Sequence, residues 1–240
     1  MPQRPDVWRA DALGLAGAAV LPSGHAALDA ELPGGGWPAA GLTELLQPPR
    51  PYGAGPAWRL LLPALARLAG ASRGPVALVG APEGVQPFAP ALAAQGLPAA
   101  RLLWVRVEDA TARLWAAEQA LRCADVPAVL AWLPQARAGG LRRLHLAALD
   151  HGRPLFALRP AAAQAESSPA PLRLVLQGGR ALQVLVFKRR GPPMAQPVAL
   201  PAHAPALAAL LAPRRRGAVA QPAACPETRD ADLLDRPVAA

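Results

Sequence analysis

Short apolar runs recur between residues 42 and 158 and alternate with segments that have helical periodicity. The runs have the length of strands, and they cover residues 42–46, 75–79, 102–107, 126–133 and 154–158. The run at 126–133 is nearly unbroken, which is typical of a strand buried on both faces. Helical patterns lie between or after the runs, at residues 57–69, 88–95, 110–123 and 139–150. Strands separated by helices predict an α/β fold with a doubly wound, mainly parallel sheet and helices on both faces.

Two further apolar runs, at residues 172–176 and 182–187, flank Gly178 and Gly179. Strands joined by a glycine pair predict an antiparallel β-hairpin at the edge of the sheet. Beyond Gly191 the chain is rich in proline and alanine, which predicts a flexible C-terminal tail. We therefore divide the chain into an N-terminal segment at 1–30, a domain at 31–191 and a basic tail at 192–240.

The charges are unevenly distributed along a chain whose net charge is +9. No acidic residue occurs from Ser167 to Cys225, a stretch that contains several arginines and the only lysine, Lys188. A positive region of this kind favours polyanions or acidic protein surfaces as partners.

The cysteines and the hydropathy pattern favour a cytoplasmic protein. Cys123 and Cys225 are too far apart for a C-x-x-C clip and too few for a disulfide scaffold, so a reducing compartment fits. The apolar stretch at 12–21 contains glycines and runs into patterned sequence, unlike a signal peptide. No segment has the roughly 20 apolar residues of a membrane span, so we expect no membrane association.

The segment that leads into the first predicted strand resembles RecA. It comprises LPSGHAALD at 21–29, GGGWP at 34–38 and GLTEL at 41–45. A closer resemblance is to ImuA, a SulA-like, RecA-related family associated with damage-induced translesion DNA synthesis. The motifs that carry it are VWR at 7–9, GGGWP at 34–38, LWVR at 103–106, LWAAEQAL at 114–121, VLAWLP at 129–134 and KRRG at 188–191. The resemblance implies that residues 31–191 form a degenerate RecA-like domain.

The resemblance places a phosphate loop at residues 47–57, after the first strand. A working loop reads G-x-x-x-x-G-K-[ST], because backbone N–H groups wrap the phosphates, the lysine neutralises them and the hydroxyl holds magnesium. Here Gly53 and Gly55 remain, but Pro56 and Ala57 occupy the positions of the lysine and the hydroxyl residue. Proline also removes an N–H donor from the N-terminus of the following helix.

The metal carboxylate of RecA is also missing. The strand at 126–133 carries Trp132 where an acidic residue is expected, and no carboxylate follows until Asp150. Arg50 or Arg59 could replace the lysine's charge, but neither supplies the hydroxyl. We therefore expect a protein that is not an ATPase and has no catalytic residue, metal site or resident cofactor.

Six basic residues in two groups are candidates for contact with DNA or an acidic partner: Lys188, Arg189 and Arg190, and Arg214, Arg215 and Arg216. In RecA filaments, basic residues at a similar strand end reach the nucleotide of the neighbouring protomer, and the resemblance carries this role over to Lys188 and Arg190. The alternative for the first group is a solvated cluster that protects an edge strand. The second group lies in the tail and fits a docking element or simple solvation, since no aromatic residues are interleaved for stacking on bases.

Other polar and aromatic residues are expected to be structural. Four tryptophans fall on predicted strands or helices and are expected in the core: Trp58, Trp104, Trp115 and Trp132. Trp8 and Trp37 lie in irregular segments and are candidates for a partner surface. Asp109 is predicted to cap the helix at 110–123, and Glu118 to lie on the surface of that helix.

The resemblance implies a non-catalytic cytoplasmic accessory protein of the SOS response. Its implied partners are ImuB, a polymerase-like scaffold, and an error-prone DnaE-type polymerase, with RecA and single-stranded DNA as further candidates. One alternative is a divergent DNA-dependent ATPase or recombinase that uses an arginine in place of the missing lysine. Another is a SulA-type cell-division inhibitor, suggested only by the SulA-like label of the family.

Overall fold

A computed structural model describes residues 19–48, 55–82, 89–178, 181–192 and 194–201. The chain divides into two compact units, Met1–Ala202 and His203–Ala240. All the described residues belong to the first unit.

Ten strands and five α-helices make up the described part of the chain. The strands are β1 (Val20–Leu21), β2 (Trp37–Pro38), β3 (Gly41–Gln47), β4 (Val76–Val79), β5 (Leu102–Val105), β6 (Val129–Trp132), β7 (Pro154–Pro160), β8 (Leu172–Gln177), β9 (Leu182–Lys188) and β10 (Val198–Leu200). The helices are α1 (Ala26–Asp29), α2 (Gly55–Ala71), α3 (Ala89–Ala93), α4 (Ala110–Arg122) and α5 (Ala138–Asp150). Short 3₁₀ helices span Pro33–Gly35, Ala99–Arg101 and Ala161–Ala165.

Eight strands form the main sheet in the order β10-β9-β8-β3-β7-β6-β4-β5, while β1 and β2 pair antiparallel in a small second sheet. The six strands from β8 to β5 are parallel, and β9 and β10 are antiparallel to their neighbours. After β3 the chain passes through α2 to β4, which lies on the β7 side of β3. After β7 the connection runs in the opposite direction, across β3, to reach β8. The predicted doubly wound, mainly parallel α/β fold with an antiparallel hairpin is therefore confirmed.

Each face of the sheet has its own apolar cluster, because side chains alternate along a strand. On one face, Leu45 of β3 and Leu78 of β4 pack with residues of α2 and α3. On the other face, Leu42 of β3 and Val129 of β6 pack with residues of α4 and α5. The helices thus cover both sides of the parallel strands, as the unbroken apolar run of β6 predicts.

One glycine is required where the chain enters the domain. Gly24 has a φ of +85°, and a Cβ atom there would lie 2.4 Å from the Cβ of Pro63 in α2. Pro63 lies inside α2, where it cannot donate a helical hydrogen bond. The segment before α1 therefore passes directly over this proline.

The sheet extends further along the chain than the predicted domain boundary at Gly191. Val198–Leu200 form β10, which pairs with β9, so the predicted hairpin does not supply the outermost strand. Pro197 and Pro201 flank this short strand, and proline limits further pairing at a sheet edge. The rest of the predicted tail, including Arg214, Arg215 and Arg216, lies outside the described residues.

Among the described residues, no helix is both long and apolar enough to cross a membrane.

Candidate functional site

The carboxyl edge of the parallel strands is the expected position of a ligand site. Ligands of open α/β sheets bind there, where neighbouring strands send their connections in opposite directions. In this chain the neighbouring strands β3 and β7 have connections that leave in opposite directions. The positions that the RecA resemblance assigns to phosphate and metal binding lie at this edge.

The start of α2 is packed into the core. Pro56 and Ala57, at the positions of the lysine and the hydroxyl residue, are buried, and Trp58 beside them is buried as well. Gly55 is exposed at the first position of the helix, and Gly53 lies outside the described residues. The first turn of α2 therefore presents apolar groups where a phosphate loop would present an ammonium and a hydroxyl.

Arg59, one turn into α2, makes a structural contact with the segment that follows β10. Its guanidinium donates a 2.7 Å hydrogen bond to the backbone carbonyl of Pro201, which follows β10. Burial lowers the pKa of Arg59 from its ordinary value. Arg50, the other arginine considered as a substitute for the lysine, lies outside the described residues.

The end of β6 is equally apolar. Trp132 is 6% exposed and belongs to the same apolar cluster as α2. Next to the ends of β5 and β6 is a cleft of about 160 Å³, whose lining includes Glu108, Arg113 and residues 133–136. Arg113 donates to the carbonyl of Val107 at 3.0 Å, so it is held by the backbone at the cleft wall.

Within the described part of the chain, no group of three His, Cys, Asp or Glu side chains is placed to hold a metal ion. Asp109 accepts a 2.7 Å hydrogen bond from the N–H of Ala112, which confirms its predicted role as the cap of α4.

The three basic residues at the end of the hairpin have different environments. Lys188 is exposed, and its ammonium donates to the carbonyl of Ser168 at 2.7 Å. Arg189 is partly buried and is bonded to the carboxylate of Glu31 at 2.8 Å and to the carbonyl of Pro192 at 2.7 Å. Arg190 is exposed. Arg189 therefore joins the hairpin to the segment after α1, whereas Lys188 and Arg190 lie at the surface.

The structure brings together a buried charged cluster that the sequence analysis did not predict. Glu44 of β3, Arg159 of β7 and Arg173 of β8 are all buried on the face of the sheet that α4 and α5 cover. Arg173 pairs in register with Glu44, and its Nε lies 2.8 Å from Glu44 Oε2. Arg159 Nη1 lies 3.7 Å from Glu44 Oε1, which also accepts a hydrogen bond from the hydroxyl of Ser168.

This cluster holds the connection that crosses β3 between β7 and β8. Arg173 donates to the carbonyls of Ala163 and Glu166 at 2.7 and 3.1 Å, and Arg159 donates to the carboxylate of Glu166 at 2.6 Å. Arg159 also donates to the carbonyl of Ala136 at 2.7 Å, just before α5. Both oxygens of the Glu44 carboxylate face donors. The cluster is therefore a structural clamp on the crossover rather than an acid–base pair.

One sequence signal could have revealed the cluster. Glu44 and Arg173 interrupt two apolar runs that otherwise predict buried strands. A charge inside such a run needs a partner of opposite sign nearby, because an unpaired buried charge is very costly. Nothing in the sequence, however, places β8 beside β3.

Three predictions about individual residues are wrong. Trp37 is fully buried and makes an edge-on contact with Phe156, with ring centroids 5.6 Å apart, so it is not a surface residue. Trp115 is 61% exposed on α4, so it does not belong to the core. Glu118 is nearly buried, because Arg122 of its own helix and Arg143 of α5 bond to its carboxylate at 2.8 and 2.9 Å.

His145 on α5 contacts the beginning of β3. Its Nδ1 accepts a 3.1 Å hydrogen bond from the N–H of Leu42. Burial, and secondly the charge of Lys188, lower the pKa of His145 below its ordinary value of 6.5. A neutral His145 is therefore part of the contact between α5 and the sheet.

The fold and the candidate site define a doubly wound α/β domain whose carboxyl edge is filled by apolar side chains at the start of α2 and the end of β6. The chain is similar to the solved structure of SulA from Pseudomonas aeruginosa, with 23% sequence identity and a TM-score of 0.39. The similarity covers 49% of this chain and 97% of that SulA chain. Scans against protein-family models and curated proteins find no match.

Proposed function

We propose that the protein is a non-catalytic, cytoplasmic accessory factor that works by docking to other proteins. The resemblance to ImuA suggests the process, SOS-induced translesion DNA synthesis. It also suggests the partners: an ImuB-type polymerase-like scaffold, an error-prone DnaE-type polymerase reached through that scaffold, and RecA. Single-stranded DNA is the candidate nucleic-acid ligand.

The burial of Pro56 and Ala57 in the first turn of α2 is the observation that supports this proposal most directly. A phosphate loop must present its lysine and hydroxyl to a ligand, but these two side chains face the core. Arg59 donates a hydrogen bond to a backbone carbonyl, which supports the absence of a substitute for the lysine. We infer that a domain without these groups acts through contacts with partners.

The catalytic part of the proposal is tested by phosphate release from ATP, measured with the full chain in the presence and absence of single-stranded DNA. We expect no release above background. The double substitution of Pro56→Lys with Ala57→Thr is also expected to give none, and to lower the melting temperature because both positions are buried. DNA-stimulated release that Arg50→Ala abolishes would instead establish the ATPase alternative.

The docking part is tested by co-purification of the full chain with an ImuB-type scaffold. We expect a complex, and its absence would contradict the proposal. An assay of division-protein polymerisation separates the SulA-type alternative, because an inhibitor would reduce polymerisation and a translesion factor would leave it unchanged.

Contact with DNA is tested through the two surface residues of the hairpin end. The double substitution of Lys188→Glu with Arg190→Glu is expected to weaken binding to oligothymidine and to reduce the slope of log affinity against log salt, by about 0.7 for each phosphate that the protein no longer neutralises. The double substitution of Arg67→Glu with Arg73→Glu, at exposed positions on and just after α2, is the charge-matched control. Arg189 is left unchanged because it bonds to Glu31. If the double variant binds oligothymidine as tightly as the wild-type chain does, the hairpin end is not a DNA-binding site.

A further inference from the structure

The outer side of α4 carries an exposed tryptophan. Trp115 is 61% exposed, although Ala117 and Leu121 on the opposite side of the helix are fully buried. Thr111 and Gln119, which lie one turn before and after Trp115, are exposed as well. A helix places residues four apart on one face, so Trp115 projects from the side of α4 that faces away from the sheet.

The outer side of α5 repeats this arrangement with leucines. Leu146 and Leu149 are 49% and 47% exposed, while Leu141 and Leu144 are buried against the sheet. Arg142 is exposed one turn before Leu146. It makes no ion pair within the described part of the chain.

Two contacts fix α4 and α5 side by side. Gly140 approaches Leu114 so closely that a Cβ atom on the glycine would lie 3.0 Å from the leucine methyl. Further along, Arg143 Nε bonds to Glu118 Oε2 at 2.9 Å. Because Trp115 follows Leu114, it lies level with the first turns of α5. We call the surface formed by Trp115, Arg142, Leu146 and Leu149 the outer face.

The chemistry of the outer face favours an acidic protein segment with apolar side chains. Tryptophan and arginine are enriched among residues that dominate binding energy at protein interfaces. The acidic residue between the helices, Glu118, is already bonded to Arg122 and Arg143, so these contacts leave Arg142 as an uncompensated positive charge. The two exposed leucines favour a protein, because nucleic acids are bound by basic and aromatic side chains and not by aliphatic ones. A second copy would bring like charges together on a chain whose net charge is +9.

We propose that the outer face docks an acidic, amphipathic segment of a partner protein, with apolar side chains of the partner against Trp115 and Leu146 and a carboxylate against Arg142. This inference rests on the proposed docking function and assigns it a surface. The outer face shares no residue with the basic hairpin end.

The test uses the full chain and fluorescein-labelled helical peptides measured by fluorescence anisotropy. The acidic probe carries leucine and phenylalanine at helical spacing and glutamate at its flanking positions. A second peptide has lysine in place of each glutamate, and a third has alanine in place of each apolar residue. Binding of oligothymidine tests whether the outer face takes a nucleic acid instead. Sedimentation of the unliganded chain tests whether it takes a second copy of the chain.

We expect the acidic amphipathic peptide alone to bind. Trp115→Ala and Arg142→Glu should each weaken its binding about tenfold or more, and Trp115→Phe should restore most of the affinity. Gln95→Ala just after α3 and Arg67→Glu on α2 are exposed controls on the other face of the sheet, and they should leave binding unchanged. The proposal would be overturned if all three peptides bind equally or if the two test substitutions have no effect. It would also be overturned if those substitutions weaken DNA binding or self-association.

The scaffold co-purification distinguishes this inference from the proposed function. If wild-type chain binds the scaffold and the Trp115→Ala, Arg142→Glu variant binds it equally well, the outer face is refuted and the docking function survives. If wild-type chain does not bind, the docking function itself fails. Circular dichroism of each variant establishes that the fold is retained.

Discussion

Replacement of Glu44 by glutamine should destabilise the domain strongly. The side chains of Glu44 and Arg159 are 0% and 1% exposed and that of Arg173 is 6% exposed, so Glu44→Gln leaves two buried guanidinium groups without their shared carboxylate. Two charges about 4 Å apart interact by about 4 kcal/mol at an effective dielectric constant of about 20. Desolvation offsets part of this, and removal of one partner from a buried pair costs about 3–5 kcal/mol. We therefore expect the free energy of unfolding to fall by about that amount.

Urea denaturation followed by circular dichroism measures this decrease, because the midpoint should fall while the slope stays constant. For a domain of this size the melting temperature should fall by about 6–20 °C. Glu118→Gln is the matched control, because the two arginines that bond to Glu118 are each 55% exposed. Exposed pairs contribute about 1 kcal/mol or less. If the two variants are destabilised equally, the clamp does not have the energy assigned to it.

Two further predictions concern packing around the sheet. The contribution of His145 to the unfolding free energy should be fully present above about pH 6.5 and decrease as the pH falls below that value, because burial lowers the pKa of folded His145 and the unfolded chain then binds the proton first. His145→Asn, which keeps an acceptor for the N–H of Leu42, should flatten this pH dependence in urea titrations, and an unchanged slope would contradict the assignment. Gly24→Ala should cost about 1–3 kcal/mol more than Gly35→Ala in the same assay. Both glycines have φ near +85°, but only Gly24 lies against Pro63, so equal destabilisation would show that the clash is relieved.

The sequence alone predicted the fold class and most of the elements of the main sheet, because local patterns report these directly, but it did not predict β10. Alternating apolar runs and helical segments predicted the parallel strands, their helices and the hairpin within a few residues of the observed ends. The cap at Asp109 was predicted for the same reason, since a cap depends only on residues three positions apart. The identities of Pro56 and Ala57, which carry neither an ammonium nor a hydroxyl group, were likewise visible in the sequence.

Exposure and pairing were decided only by the tertiary structure. Trp37 and Trp115 were assigned to the wrong environments, because a tryptophan's burial depends on which side of its segment the neighbouring elements cover. Glu118 forms an interhelical bridge because α4 and α5 pack side by side, with Gly140 against Leu114 and Arg143 beside the carboxylate.

The start of α2 shows the same division. The sequence determines that the side chains at positions 56 and 57 carry no ammonium or hydroxyl group. Only tertiary packing decides that both side chains are buried. The charged clamp is the clearest case, because Glu44 and Arg173 are 129 residues apart in the chain and meet only when β8 pairs with β3. Strand order is a long-range property, and no local pattern encodes which strands become neighbours.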